Sequence, residues 1–162
     1  MNTLIIQASA RPDGDTNKVV RHLAAELKAD WIDLLDYKIY PFSYAQEYPG
    51  DDQFLELIRS KILTHDKLIL ATPVYWYTMS AQLKQFLDRI SDLLMTHKDL
   101  GRQLRGKSLG SVSVGLNTEL VTGFHDPFRH TAVYLGMELI EPNHGWVERN
   151  RVVLRQERGA SS

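Results

Sequence analysis

The stretch KLILA, residues 67 to 71, carries four apolar side chains in succession. A strand with one face in water alternates apolar and polar residues. An uninterrupted run of this kind needs cover on both faces, the situation of a central strand in a parallel sheet sandwiched by helices. Short apolar runs at residues 3–8, 30–34, 108–114 and 137–141 predict the remaining strands. Helical spacing fills the intervals. Val19, Val20, Leu23, Ala24 and Leu27 share one face of a segment beginning near Lys18, and Phe54, Leu57, Ile58 and Ile62 share a second. Leu83, Phe86, Leu87, Ile90 and Leu94 make a broad stripe from about residue 79 to 96. In the fourth segment Asp126 is placed to cap, Pro127 to take the first helical position and Gly136 to close the helix with a positive φ. Strand and helix in strict alternation, without repeat or low-complexity linker, predict an α/β fold. In such sheets ligands bind beyond the carboxyl ends of the strands, where the chain order reverses.

Composition narrows the chemistry. A chain of 162 residues suits one domain, and its net charge of −1 with 43% apolar residues favours neither a nucleic-acid partner nor disorder. Cysteine is absent, which excludes disulfides, thiolate metal sites, a cysteine nucleophile and cysteine-ligated iron–sulfur clusters. The first apolar run is too short for a signal peptide or membrane span and lacks a basic flank. The expectation is a cytoplasmic protein without membrane attachment.

Two loops at strand ends carry candidate chemistry. SARPDGDTN, residues 9 to 17, offers hydroxyls at Ser9 and Thr16, a planar charged fork at Arg11 and a freely turning backbone at Gly14, just before a helix N-terminus. Together they suit a phosphate monoester. Read alone, the loop is equally explained by a turn at Asp13 and Gly14 with Asp15 or Thr16 capping the helix. Neither glycine-rich nucleotide fingerprint fits. TPVYWYT, residues 72 to 78, follows the central strand. Its three consecutive aromatics point in different directions and cannot all enter one core, which leaves rings to stack on a planar heterocycle. Packing of Tyr75 and Trp76 beneath the third helix, with Tyr77 on the surface, is the plainer alternative.

The combination carries a resemblance. SARPDGDT matches an S-x-R-x-x-G-x-T phosphate loop, and TPVYWYTMSAQLKQFLDR resembles the isoalloxazine loop and following helix of the flavodoxin-like NAD(P)H-dependent FMN reductase and quinone reductase family. The likeness extends over residues 1–147, leaving 148–162 as a charged tail. It implies a five-stranded parallel sheet in the order 2-1-3-4-5. It also implies an enzyme in which hydride passes from NADH or NADPH through flavin N5 to a quinone or similar acceptor.

By the same resemblance Ser9, Arg11, Thr16 and the amide of Asn17 hold the FMN phosphate. Pro73, Val74, Tyr75, Trp76 and Tyr77 line the ring, with the amides of Trp76 and Tyr77 near its pyrimidine edge. Gly115, Leu116 and Asn117 flank it. Gly123, Phe124 and His125 resemble the G-x-H segment of larger quinone reductases, which makes His125 the candidate proton donor to the acceptor. His22, His65, His97 and His130 show no metal-ligand spacing, and His144 and Trp146 follow the predicted last strand. Asp51 and Asp52 read as favourable charges at a helix start.

One departure stands out. The family ends in a fifth helix over one face of the sheet, whereas residues 148–162 are too charged and short for an amphipathic helix, so a subunit partner or the tail itself must cover that face. Together with the long connection at residues 39–50, this predicts a homodimer. A flavodoxin-like electron carrier and a binding module that has lost its cofactor are the rival readings. Strong acidity is usual for such carriers and missing here.

Overall fold

β1 (Thr3–Gln7), β2 (Asp30–Asp33), β3 (Lys67–Pro73) and β4 (Ser108–Val114) run parallel in the order β2-β1-β3-β4 in a computed structural model that describes residues 1–158. Residues 159–162 of the expected tail lie outside the described residues. Leu4, Ile6, Leu68 and Leu70 enter a core cluster on one face, while Ile5, Ile69 and Ala71 enter a cluster on the other. Burial on both faces is thus the reason for the unbroken apolar run in β3.

The expected strand at 137–141 is divided. β5 (Glu138–Leu139) pairs with the beginning of β4, and β6 (Asn143–Glu148) pairs parallel with its end. Pro142 lies between them and has no N–H for a ladder. His144 and Trp146 therefore belong to a strand, instead of following one. The chain then reverses through Arg149 and Asn150, at φ 47° and 65°, into β7 (Arg151–Gln156), which is antiparallel to β6. Among the described residues the sheet has seven strands, ordered β2-β1-β3-β4-β6-β7 with β5 beside β4, where five parallel strands were expected.

β7 answers the question of the missing helix. On that face α1 (Asp15–Leu27) contributes Val19, Val20 and Leu23, and Val152 and Leu154 of β7 pack against the same cluster. The tail itself supplies the apolar side chains, and its charged residues flank them.

The opposite face carries α2 (Phe54–Leu57), which continues as a π-helical turn over Ile58–Ile62, then α3 (Ala81–Arg89), α4 (Asp92–Met95), α5 (Lys98–Arg102) and α6 (Asp126–Leu135). The expected helix at 79–96 is interrupted between α3 and α4. There the amides of Ser91, Leu93 and Leu94 bond to carbonyls three residues back, tightening the backbone out of α geometry. Asp126 is the first residue of α6 and His125 takes the cap position, while Gly136 closes the helix at φ 68°. No helix among the described residues is long and apolar enough to cross a membrane.

Candidate active site

The carboxyl ends of β1, β3 and β4 open onto a cavity of about 940 Å³, within the range of small-molecule and cofactor sites. Ser9, Arg11, Gly14, Asp15 and Thr16 line one end, Pro73, Val74, Tyr75 and Tyr77 the middle, and Val114 to Val121 the far wall.

At the first end α1 begins without a side-chain cap, because the residue in the cap position is Gly14. The N–H groups of Asp15, Thr16 and Asn17 keep no partner among the described residues, and Lys18 is the first whose amide bonds back, to the Gly14 carbonyl at 3.2 Å. Arg11 folds across this turn. A Cβ at Gly14 would lie 2.5 Å from its Nε, so the guanidinium occupies the space that any other residue would fill. Arg11 forms no ion pair among the described residues, whereas Asp15 pairs with Lys18 at 3.5 Å. An uncapped helix start, two hydroxyls and an unpaired guanidinium in one hollow fit a phosphate dianion.

Residues that sequence reasoning did not single out hold this loop in shape. Gln7, fully buried, donates from Nε2 to the Pro12 carbonyl at 3.1 Å and to Asp33 Oδ2 at 3.0 Å, and accepts from Asn17 Nδ2 at 2.9 Å. The Asn17 side chain is thereby committed to the scaffold, leaving only its amide for a ligand. Burial pushes the Asp33 carboxyl up, the Leu35 amide and Gln7 oppose the rise, and Asp36 adds to it. A glutamine closing the apolar strand TLIIQ was the available signal.

The aromatic loop is a two-residue reversal. Tyr75 and Thr78 exchange backbone hydrogen bonds of 2.9 and 3.1 Å, and Trp76 and Tyr77 between them have φ 49° and 68°. This is the geometry of a type I′ turn, normally given to Asn and Gly. Two bulky aromatics held there store on the order of 1 kcal/mol each. The amides of Trp76 and Tyr77 find no partner among the described residues. The base of the loop is locked to the other end of the cavity: Ser80 Oγ donates to the Ala8 carbonyl at 2.6 Å and caps α3 by accepting from Leu83 N at 3.1 Å. Tyr75 Oη lies 3.4 Å from Ser9 Oγ.

Two expectations need revision. Trp76 is 91% exposed and does not line the cavity, so neither core packing nor a wall position describes its side chain. His125 is 4% exposed and absent from the cavity wall. Its Nδ1 lies 2.8 Å from Ser111 Oγ and its Nε2 3.0 Å from Ser113 Oγ, so neither nitrogen is free to give a proton to a bound acceptor. Burial pushes this imidazole down to about 4, with Glu157 and Asp126 opposing the shift and Arg129 and His144 adding to it. Asp52 does serve the helix start, accepting from the Phe54 amide at 3.1 Å, and in addition makes a two-point pair with Arg89 at 2.6 and 3.0 Å. Ser9, Arg11, Thr16, Pro73, Val74, Tyr75, Tyr77 and Gly115, by contrast, all meet at one cavity. Arg155 of β7 lines it too, a contribution invisible while 148–162 read as a tail.

A family model described as NADPH-dependent FMN reductase matches residues 1–149. YwqN of Bacillus subtilis (strain 168), named as an NAD(P)H-dependent FMN-containing oxidoreductase, is 29% identical over 85% of this chain and 80% of its own length. A protein of Staphylococcus haemolyticus (strain JCSC1435) named FMN-dependent NADPH-azoreductase is 31% identical, over 70% of this chain and 63% of its own. The solved structure of the Trp repressor binding protein from Bacillus subtilis superimposes with a TM-score of 0.70 at 27% identity, covering 91% of this chain and 88% of that one.

Proposed function

The chain belongs to the NADPH-dependent FMN reductase family, and from that premise we propose that the cavity at the carboxyl ends of β1, β3 and β4 is its FMN site. The protein is an oxidoreductase that uses FMN with NAD(P)H as electron donor, and the electron-carrier reading is set aside. One observation carries the site assignment: Ser9, Arg11 and Thr16 at an uncapped helix start share a cavity with a strained aromatic turn whose amides are unpartnered among the described residues.

In this reading Arg11, Ser9, Thr16 and the amides at the start of α1 bind the phosphate. Pro73, Val74, Tyr75 and Tyr77 form one wall for the ring and Gly115 to Asn117 the other. FMN, when bound, supplies the two-electron chemistry between NAD(P)H and the acceptor. The protein supplies orientation and fixed dipoles. The free amides of Trp76 and Tyr77 would stabilise negative charge at the pyrimidine edge, as oriented N–H groups stabilise oxyanions. The acceptor class we assign is a small quinone-like molecule, and the azoreductase among the relatives fits an acceptor that is planar and conjugated. His125 has no part in this account.

We also place the protein in the cytoplasm, where its donor is supplied, and assign it as a homodimer. The 39–50 loop is tied to its own chain at the Ile39 and Tyr40 carbonyls and leaves Tyr44 88% exposed for a partner. Support comes from the exposed apolar residues Leu94, Met95, Val133 and Tyr134, most of which line a groove between α3, α4 and α6. Light scattering reporting a monomer at micromolar concentration would remove that assignment.

The site is tested by titrating the purified protein with FMN and then adding NAD(P)H without oxygen. Uptake of flavin with a shifted absorbance band, followed by bleaching, is expected. Protein that takes up no FMN would overturn the assignment.

A further inference from the structure

The far wall of the cavity rests on a buried chain of polar side chains. Ser111 and Ser113 lie two residues apart on β4, and His144 lies on β6 opposite Ser113. Ser111 Oγ is 2.8 Å from His125 Nδ1, Ser113 Oγ is 3.0 Å from His125 Nε2 and 2.8 Å from His144 Nδ1, and His144 Nε2 is 2.9 Å from the Asn117 carbonyl oxygen. All four side chains are buried, His144 completely.

The last group fixes every hydrogen in the chain. A carbonyl only accepts, so His144 Nε2 bears the hydrogen, and in a neutral ring Nδ1 must then accept from the Ser113 hydroxyl. Ser113 Oγ in turn accepts from His125 Nε2, and His125 Nδ1 accepts from the Ser111 hydroxyl. The other acceptor within reach of Ser113, the Asn143 carbonyl, lies at 3.4 Å, and using it would leave His144 Nδ1 without a hydrogen. Burial favours the neutral form of both rings. The chain therefore has one arrangement, directed from Ser111 to Asn117. A carbonyl has no proton to pass on, so the chain conducts nothing into the cavity. Its terminal bond holds a loop. Gly115 makes room for that hold: a Cβ there would lie 2.9 Å from His144 Cε1.

We propose that His144 and Ser113 are positioning residues that fix the 115–121 wall of the cavity through the Asn117 carbonyl. The consequence for the cofactor rests on the FMN reading above, whereas the hold on the wall does not. The loop is exposed on its outer side, with Leu116 91% accessible, and the Asn117 side chain is occupied in accepting from the Glu119 amide. The Gly115 amide anchors the start of the loop to the Gly145 carbonyl at 3.0 Å, and beyond it the bond from His144 ties the backbone to the sheet below.

The experiment compares Ser113→Ala with Ser111→Ala, which delete equivalent hydroxyls at the middle and at the remote end of the chain. In protein without FMN, ¹⁵N order parameters of residues 116–119 are expected to fall from about 0.85 to below about 0.6 in S113A, and to keep wild-type values in S111A. His144→Phe should loosen the loop as S113A does, while His144→Gln, which retains an N–H donor, should restore much of the order. If H144F does not fold, the serine pair decides. In the FMN titration the dissociation constant should rise about three- to tenfold in S113A and at most about twofold in S111A, with similar melting temperatures. Unchanged order parameters in S113A, or equal loosening in both serine variants, would overturn the hold on the wall. A loosened loop with unchanged FMN affinity would overturn the positioning role. Wild-type protein that binds no FMN would defeat the functional reading instead, and the order parameters would then judge the hold alone.

Discussion

Two groups of loops leave the same edge of the sheet and end in opposite conditions. The connection after β2, residues 37–53, is rich in aromatic and polar residues, and Lys38, Tyr40, Tyr48, Asp51, Asp52 and Gln53 find partners within the chain, while Tyr44 stays 88% exposed and Gln46 Oε1 is buried without a partner among the described residues. Arg89, 1% exposed, gathers it in, donating to Asp52 at 2.6 and 3.0 Å, to Asp92 at 2.9 Å and to the Tyr40 carbonyl at 3.0 Å. The guanidinium also lies 3.5 Å from the centroid of the Tyr48 ring. Among the described residues, the loops after β1, β3 and β4 leave amides unpartnered, a guanidinium unpaired and aromatics exposed around a cavity. Aromatic residues in a loop thus do not mark a site. Unmet hydrogen-bonding capacity beside a cavity does, and the two loop groups should fail differently when mutated.

The largest effect belongs to the closed group. Arg89→Met removes the cation between the buried Asp92 and the partly buried Asp52, and an uncompensated buried charge typically costs about 3 to 5 kcal/mol. For a chain of this size that lowers the melting temperature by roughly 6 to 20 °C. FMN affinity, measured well below the new transition, should stay near wild type. Loss of affinity without loss of stability would erase the contrast between the groups.

Beneath the cavity wall, His125 gives a pH signature. Its folded value of about 4 lies below the ordinary 6.5, so the unfolded chain binds the proton more readily. The stabilisation is therefore complete above about pH 6.5 and drains away as pH falls toward 4. The full difference is on the order of 3 kcal/mol. Urea midpoints should fall across that window in the wild type and less steeply in His125→Phe, measured against the same carboxylate background. Parallel curves would mean that His125 is not held neutral by burial.

At the phosphate end the cost should appear in binding alone. Arg11→Ala deletes a charge-assisted contact to a dianion, so FMN affinity should drop by about 1.5 to 3 kcal/mol, ten- to a hundredfold. Riboflavin, lacking the phosphate, should bind both forms alike, and melting of the free protein should hardly change. FMN affinity that survives the substitution would move the phosphate elsewhere.

What the sequence made legible follows the same division. Strand alternation and the loops directly after strands are local features, so Ser9, Arg11 and Thr16 stood out as candidates before any contact was known, while Pro73 and Tyr75 came with the family resemblance. The Arg89 clamp depends on Asp52 meeting Arg89 across 37 residues, and the burial of His125 depends on serines of β4, partners that no short window contains. β7 was hidden for another reason. Its Val152 and Leu154 alternate with outward residues over a strand of six, too brief to stand out from a charged tail. The turn ahead of it, Arg149 and Asn150, lacks the glycine that usually announces a hairpin.

That hairpin provides an internal control for the smallest effect. Arg149–Asn150 and Trp76–Tyr77 share a backbone conformation, with φ 47° and 65° in the first and 49° and 68° in the second. Asn tolerates left-handed geometry, whereas Trp does not, and only the second pair stands at the cavity. Replacing Trp76 by glycine should relieve strain of about 1 kcal/mol against about 0.4 to 1 kcal/mol for the added freedom of the unfolded chain, a net gain of at most about 0.6 kcal/mol. Asn150→Gly should gain less. The turn and its free amides would persist in Trp76→Gly, so FMN affinity should stay within about twofold. Trp76→Val, which resists the left-handed region, should weaken both stability and FMN binding. A core tryptophan would behave otherwise, since its loss typically costs about 3 to 5 kcal/mol. Melting curves of Trp76→Gly that show such a loss would contradict the exposed turn. Equal gains in Trp76→Gly and Asn150→Gly would show that the strain is not particular to the cavity.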